Sequence, residues 1–147
     1  MSLIDVFDIA GSAMSAQSVR MNTTASNIAN AQSVAETPEE TYRARYPVFA
    51  AQLEEAGGGH LPLSGEQVGA AGDAVSVLGV VESEAPLAMR YEPDHPYANE
   101  EGYVSYPNVS VVEEMANMIS ASRSFQLNVE VMSTVRTLSE RVLSLGQ

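Results

Sequence analysis

Few residues in this chain have the types and spacing that chemistry needs. Its two histidines are His60, beside a glycine run, and His95, within Asp94-His95-Pro96. A histidine pair with acids nearby could ligate a metal, yet neither H-x3-H nor H-E-x-x-H spacing occurs. Adjacent carboxylates at Glu39-Glu40, Glu54-Glu55, Glu100-Glu101 and Glu113-Glu114 suggest a general acid/base pair. Sequence neighbours do not face each other on a helix or strand, so solvated charge is the simpler reading. No serine sits in a G-x-S-x-G elbow. Gly57-Gly58-Gly59 is followed by no G-K-[ST] or G-x-G-x-x-G phosphate cradle, and no D-x-D-x-D-G calcium loop is present. The methionines Met14, Met21, Met115, Met118 and Met132 form a stripe that suits core filling better than a promiscuous groove. The expectation is a protein that is not an enzyme and uses neither cofactor nor metal.

Composition narrows the class further. With 147 residues and 45% hydrophobic content, the chain can bury one core, with or without an appendage. Net charge is −12, from seven arginines and no lysine against nineteen acids. This argues against nucleic acid or an anionic membrane as partner. The acid is concentrated between residues 36 and 101, as a solvated middle region. Absence of cysteine excludes disulfides and thiolate metal sites. The start, Met-Ser-Leu-Ile-Asp-Val-Phe-Asp, lacks the basic head and unbroken apolar run of a secretory signal. No apolar stretch reaches the roughly 18 residues that span a bilayer, so no membrane insertion is expected.

What must position any function is a pair of long helices. Ser110 and Glu113 have capping-box spacing, and no proline or glycine interrupts the chain from there to Gly146. Val111, Met115, Met118, Ser122, Phe125, Val129 and Met132 alternate four and three apart. The series then slips by one to Val135, Leu138, Val142 and Leu145. This predicts one helix of roughly 35 residues, about 50 Å long. At the other end Leu3, Phe7, Ala10, Met14, Gln17, Met21, Thr24 and Ile28 form a second four-three series. It predicts a helix from about Leu3 to Asn30. Its small and polar members suit close packing and register control.

Between the helices the period changes to two. Strands are expected from Thr41 to Gln52, over Val75–Val81, and over Pro86–Glu92 as the return arm of a hairpin. The segment from Gly57 to Gly72 reads as a loop, Pro93 to Gly102 as an acidic turn region, and Tyr103-Val104-Ser105-Tyr106 as a lead into the last helix. The fold class is mainly α with a small β-rich insert. Residues 1–33 and 108–147 form a helical core paired as a coiled coil, in either orientation, and 34–107 form the acidic insert. Apolar residues also lie off the seams, at Ile4, Val6, Ile9, Val19, Ile119, Leu127, Val131 and Leu143. A lone subunit would leave these in water, so the helices are expected to be fully ordered only among neighbouring subunits.

These residues also carry a family resemblance. Ser26-Asn27-Ile28-Ala29-Asn30, closing a helix that contains Ala16-Gln17-Ser18-Val19-Arg20-Met21, resembles the N-terminal signature of flagellar axial proteins, the rod and hook family. Asn108-Val109, Glu113-Glu114-Met115, Met118-Ile119, Arg123-Ser124-Phe125-Gln126 and Asn128 are similar to that family's second signature. Tyr91-Glu92-Pro93-Asp94-His95-Pro96 together with Gly102 to Val109 narrows the resemblance to a proximal rod component. Ser33 stands where many axial relatives have threonine, and the match is thinnest from Val34 to Glu84.

The resemblance implies a structural subunit of the flagellar rod, a periplasmic tube joining the membrane ring to the hook and transmitting torque. It implies export by the flagellar type III apparatus without a cleaved signal. The implied partners are further copies of the chain, other rod proteins, the membrane ring and the export apparatus. On this reading Leu3, Phe7, Met14, Met21, Ile28, Met115, Met118, Phe125, Val129 and Met132 serve intrachain pairing. Ile4, Val19, Ile119, Leu127, Val131 and Leu143 serve packing between subunits. Ser26, Asn27, Ile28, Ala29, Asn30 and Arg123 match the family motifs, with Asn27 and Asn30 bridging backbone groups where the first helix ends. The alternatives are another axial flagellar protein, or a secreted coiled-coil binding module that would form no tube.

Overall fold

The computed structural model describes residues 3–52 and 74–145, with the side chains of Leu3, Ile4, Gln52 and Leu145 excepted. The loop expected between Gly57 and Gly72, with His60, lies outside the described residues. In chain order the elements are α1 (Leu3–Asn30), β1 (Arg45–Gln52), β2 (Ala74–Glu82), β3 (Ala88–Tyr91), β4 (Tyr103–Tyr106) and α2 (Val111–Leu145). Terminal helices pack together and the β elements lie between them in sequence.

Both helices begin with acid at the positive end of their dipoles, Asp5 in α1 and Glu113 and Glu114 in α2. At the end of α1 the Asn30 amide donates to the Ser26 carbonyl at 2.8 Å, and the Asn30 carbonyl accepts from the Ser33 hydroxyl at 2.8 Å. Polar side chains thus close a helix end that has no glycine. At the start of α2 the Glu114 amide donates to the Ser110 carbonyl at 2.9 Å, which puts Ser110 in the capping position. The expected reciprocal side-chain bonds with Glu113 are absent; Ser110 is exposed, and water can satisfy its hydroxyl.

The helices run antiparallel. Asn27, near the end of α1, bonds Glu114 in the first turn of α2, and Arg20, two turns earlier, bonds Asn117. Their 28 and 35 residues give lengths of ~42 and ~52 Å, so α2 runs past α1. A second partner covers α1 on another side. β1 and β2 form an antiparallel ribbon, Arg45 opposite Glu82 and Gln52 opposite Ala74, with a bulge at Val48/Phe49. One end of the ribbon is tied to Asn27 through Arg45, and the other to Ser12, whose hydroxyl accepts from the Val75 amide at 3.1 Å. Among the described elements α2 packs on α1 alone, whereas α1 packs on α2, β1 and β2.

β3 pairs with β4, not with β2, and packs on no other described element. The expected lead into the helix is therefore a strand. Its pairing is set by a turn in which Asn99 Oδ1 accepts from the amides of Glu101 and Tyr103, at 3.0 and 2.8 Å. Gly102 adopts φ +81°, and a Cβ there would lie 2.9 Å from the Tyr91 ring, so only glycine fits. Edge-on contact of Tyr91 with Tyr103 and stacking of Arg90 on Tyr106 hold the short strands in register.

The core is built from short side chains. Buried apolar residues among those described are Ala10, Ala16, Ala31, Ala44, Ala121, Val104 and Val135. Five of the seven are alanine, so the elements approach closely but bury little apolar area. Thr23, Thr24, Thr41, Asn27 and Glu114 are buried beside them. On α2 the inward series is Glu114, Met118, Ala121, Phe125, Asn128, Met132, Val135 and Ser139, each buried or half-buried and spaced four and three apart without a slip.

Candidate functional site

The junction where α1 ends, β1 starts and α2 begins holds the densest polar network in the described structure, and Asn27 is its centre. A carboxamide offers two donors and two acceptor positions, and Asn27, fully buried, uses all four. Its Nδ2 donates to the Arg45 carbonyl at 2.9 Å and to Glu114 Oε2 at 3.1 Å. Its Oδ1 accepts from the Tyr42 hydroxyl at 2.8 Å and from the Arg45 amide at 2.9 Å. One side chain thereby completes the first backbone pair of β1 and fixes the start of α2 against the end of α1.

Neighbouring groups extend the joint. Ser26 Oγ lies 3.3 Å from the Tyr42 hydroxyl, and the Arg45 guanidinium stacks over the Tyr42 ring. Asn108, just before α2, accepts from the Ala44 amide at 2.8 Å and donates to the Ala85 carbonyl at 2.9 Å. Arg45 also pairs with Glu82 at 2.8 Å; both are exposed, so this pair adds at most ~1 kcal/mol. Partial burial, then the charges of Glu114 and Glu113, push the Tyr46 phenol above its usual range. A buried carboxylate is tolerable at Glu114 because it sits in the first turn of α2, where the helix dipole favours negative charge, and accepts the Asn27 bond.

This arrangement holds and orients; it has no open reacting centre. The cleft beside it, lined by Asn30, Glu39, Arg43 and Glu82 among others, is open and polar. Among the described residues no group of three or more His, Asp or Glu is placed to hold a metal ion, and no helix is long and apolar enough to cross a membrane.

The residues expected to act fall into three groups. Of the motif residues, Asn27 is buried, Ser26, Ile28 and Asn30 are half-buried, and Ala29 and Arg123 are exposed. Of those assigned to the intrachain seam, Phe7, Met14, Met21, Ile28, Met118, Phe125 and Met132 are half-buried. Met115 and Val129 instead stand 52% and 46% exposed; the inward places next to them belong to Glu114 and Asn128. Of those assigned to contacts between subunits, Ile119, Leu127, Val131 and Leu143 are exposed, and Val19 is half-buried. The side chains of Leu3 and Ile4 lie outside the described residues. Tyr42, Arg45, Asn108 and Glu114 join the junction without having been singled out for it. Asn108 and Glu114 lay within the second motif, whereas Tyr42 and Arg45 had only a strand pattern to announce them.

Two family models match this helix–insert–helix chain. One, described as flagella basal body rod protein, covers residues 7–34, and the other, flagellar basal body rod FlgEFG protein C-terminal, covers residues 100–145. The relatives resolve the class. Flagellar basal-body rod protein FlgC of Escherichia coli O6:H1 (strain CFT073) is 48% identical over 147 residues, all of both chains. The protein of that name from Salmonella typhimurium (strain LT2) is 47% identical over 147 residues, and that of Bacillus subtilis (strain 168) 29% over 150, again covering both chains fully. The chain belongs to the FlgC family of flagellar basal-body rod proteins.

Proposed function

We propose that the chain is a structural subunit of the flagellar rod, whose copies pack laterally through their terminal helices into a hollow tube. The observation that carries this reading is the distribution of large apolar side chains on α2. Its inward series contains Glu114, Ala121, Asn128 and Ser139. Val112, Met115, Ile119, Leu127, Val129, Val131, Leu138, Val142 and Leu143 stand exposed. A monomeric protein rarely leaves so many large apolar side chains of one helix in water, whereas a tube wall needs them on every subunit.

In this reading residues 1–33 and 108–147 form the helical core, an antiparallel coiled coil with heptad spacing, and 34–107 form the acidic insert. The Asn27 junction makes the helix pair and ribbon one rigid unit, so that torque passing from the membrane ring towards the hook is carried by shear between subunits. The partners are further copies and other rod proteins, with the ring and export apparatus at the ends of the path. Delivery to the periplasm runs through the flagellar type III apparatus with no signal removed. Met115 and Val129 join Ile119, Leu127, Val131 and Leu143 in the set that serves contacts between subunits.

Complementation tests the proposal. A strain without the chain should be non-motile, and Leu127→Asp should leave the helix content of the free subunit unchanged yet fail to restore rods in electron micrographs. A motile Leu127→Asp strain with normal rods would contradict it.

A further inference from the structure

Building on the proposed tube-wall role, we infer which faces meet: the outward side of α2 in one copy packs on the outward side of α1 in the next. On α2 the surface that α1 leaves uncovered carries Val112, Met115, Ile119 and Leu127, with Val129 on its flank, all exposed. No other described element touches α2. Full burial of such a side chain removes ~60–120 Å² of apolar surface, from the transfer energies and their area coefficient. With the remaining exposed apolar residues of α2, the helix presents on the order of 500 Å². An equal share from the receiving face brings the total to the ~1,000 Å² expected of a specific interface.

The receiving face is on α1. α2 and the ribbon cover two sides of that helix, and the third side bears Gly11, Ser15, Ser18, Asn22, Ala25 and Ala29, spaced four and three apart. None is larger than asparagine, and a Cβ at Gly11 would meet nothing within 4 Å. A helix-interior glycine lowers helix stability, and nothing among the described residues uses the space it leaves. The row from Gly11 to Ala29 is ~27 Å long and the α2 ridge from Val112 to Val129 ~26 Å, so large side chains on one face match short ones on the other along their length. Charge agrees in sign: Arg123 stands exposed on the α2 ridge and Asp8 exposed at the head of the α1 row, neither in an ion pair among the described residues. Because the two faces differ, the contact is heterologous. Each copy offers both faces, and the chain of contacts continues instead of closing as a two-fold dimer.

The chain has no cysteine, so cross-linking can read this directly. Two differently tagged copies, one carrying Ser15→Cys or Asn22→Cys and the other Ile119→Cys or Leu127→Cys, are expressed together in cells lacking the native chain. Purified basal bodies are then oxidised. Mixed cross-links between an α1 cysteine and an α2 cysteine are expected to exceed same-site cross-links several-fold. Gly11→Leu should keep the helix content of the free subunit while sharply reducing its incorporation. Assembled rods that yield only α2-to-α2 products, or that accept Gly11→Leu normally, would overturn the inference and leave the rod assignment standing. Basal bodies that never contain the native chain would remove both.

Discussion

The two helices resemble each other in length and in seam spacing, but they live in different surroundings. Among the described elements α1 lies between α2 and the β1–β2 ribbon, while α2 has a neighbour on one side only. Their composition follows. α1 keeps short side chains on its free side, from Gly11 to Ala29, whereas α2 leaves Ile119, Leu127 and Leu143 in contact with solvent. Within a single chain the difference has no stabilising purpose, since exposed leucine gains nothing from water. It makes sense where the second helix finds its remaining neighbours in other copies.

Substitutions on the two sides of α2 sharpen that contrast. Ala121, fully buried, and Ile119, exposed, are two residues apart. Ala121→Asp should place an unpaired charge between the helices and cost several kcal/mol, seen by circular dichroism as a clear loss of the helix content that the free subunit has. Ile119→Asp should change the melting profile little, within ~0.5 kcal/mol, and act only on assembly. Next in size is Asn27→Ala. It leaves the Arg45 amide, the Tyr42 hydroxyl and the Glu114 carboxylate without their partner, and ~3–5 kcal/mol of stability should be lost by denaturant titration. Gly11→Ala should act in the opposite direction and raise the stability of the isolated subunit by up to ~1 kcal/mol, because the added methyl meets nothing.

The smallest effect concerns pH. Tyr46 titrates higher folded than unfolded, so its neutral form is the one the fold favours. The associated stability is whole below the unfolded pKa near ~10 and is lost as pH rises through the folded value. Melting temperatures followed from about pH 8 to 11 should fall more steeply for the native chain than for Tyr46→Phe.

Both helices were legible because an unbroken four-three spacing without proline fits little else. The inward face of α2 was less so. Sequence reading places large apolar residues inside, and three of the five it assigns to the α2 seam, Met118, Phe125 and Met132, lie in the observed inward series. Met115 and Val129 stand one residue beside it, because Glu114 and Asn128 turn inward instead. Hydrophobicity cannot separate a side chain that faces its own chain from one that faces a copy. The pairing of β3 with β4, unlike the extended form of β3 itself, was not legible, for another reason. Four-residue strands carry little periodicity, and their turn depends on Asn99 and Gly102 acting across three positions. The Asn27 junction was legible only as a motif. Its partners Tyr42, Arg45 and Glu114 are distant in sequence, and four hydrogen bonds to one amide leave no trace in spacing.

The central claim is that the exposed apolar side of α2 is covered when subunits assemble. In this cysteine-free chain a single Leu127→Cys can be reacted with a water-soluble maleimide, in the free subunit and in intact basal bodies. Rapid labelling of the free subunit and strong protection in the assembled rod are expected. Equal labelling in the two states would contradict it.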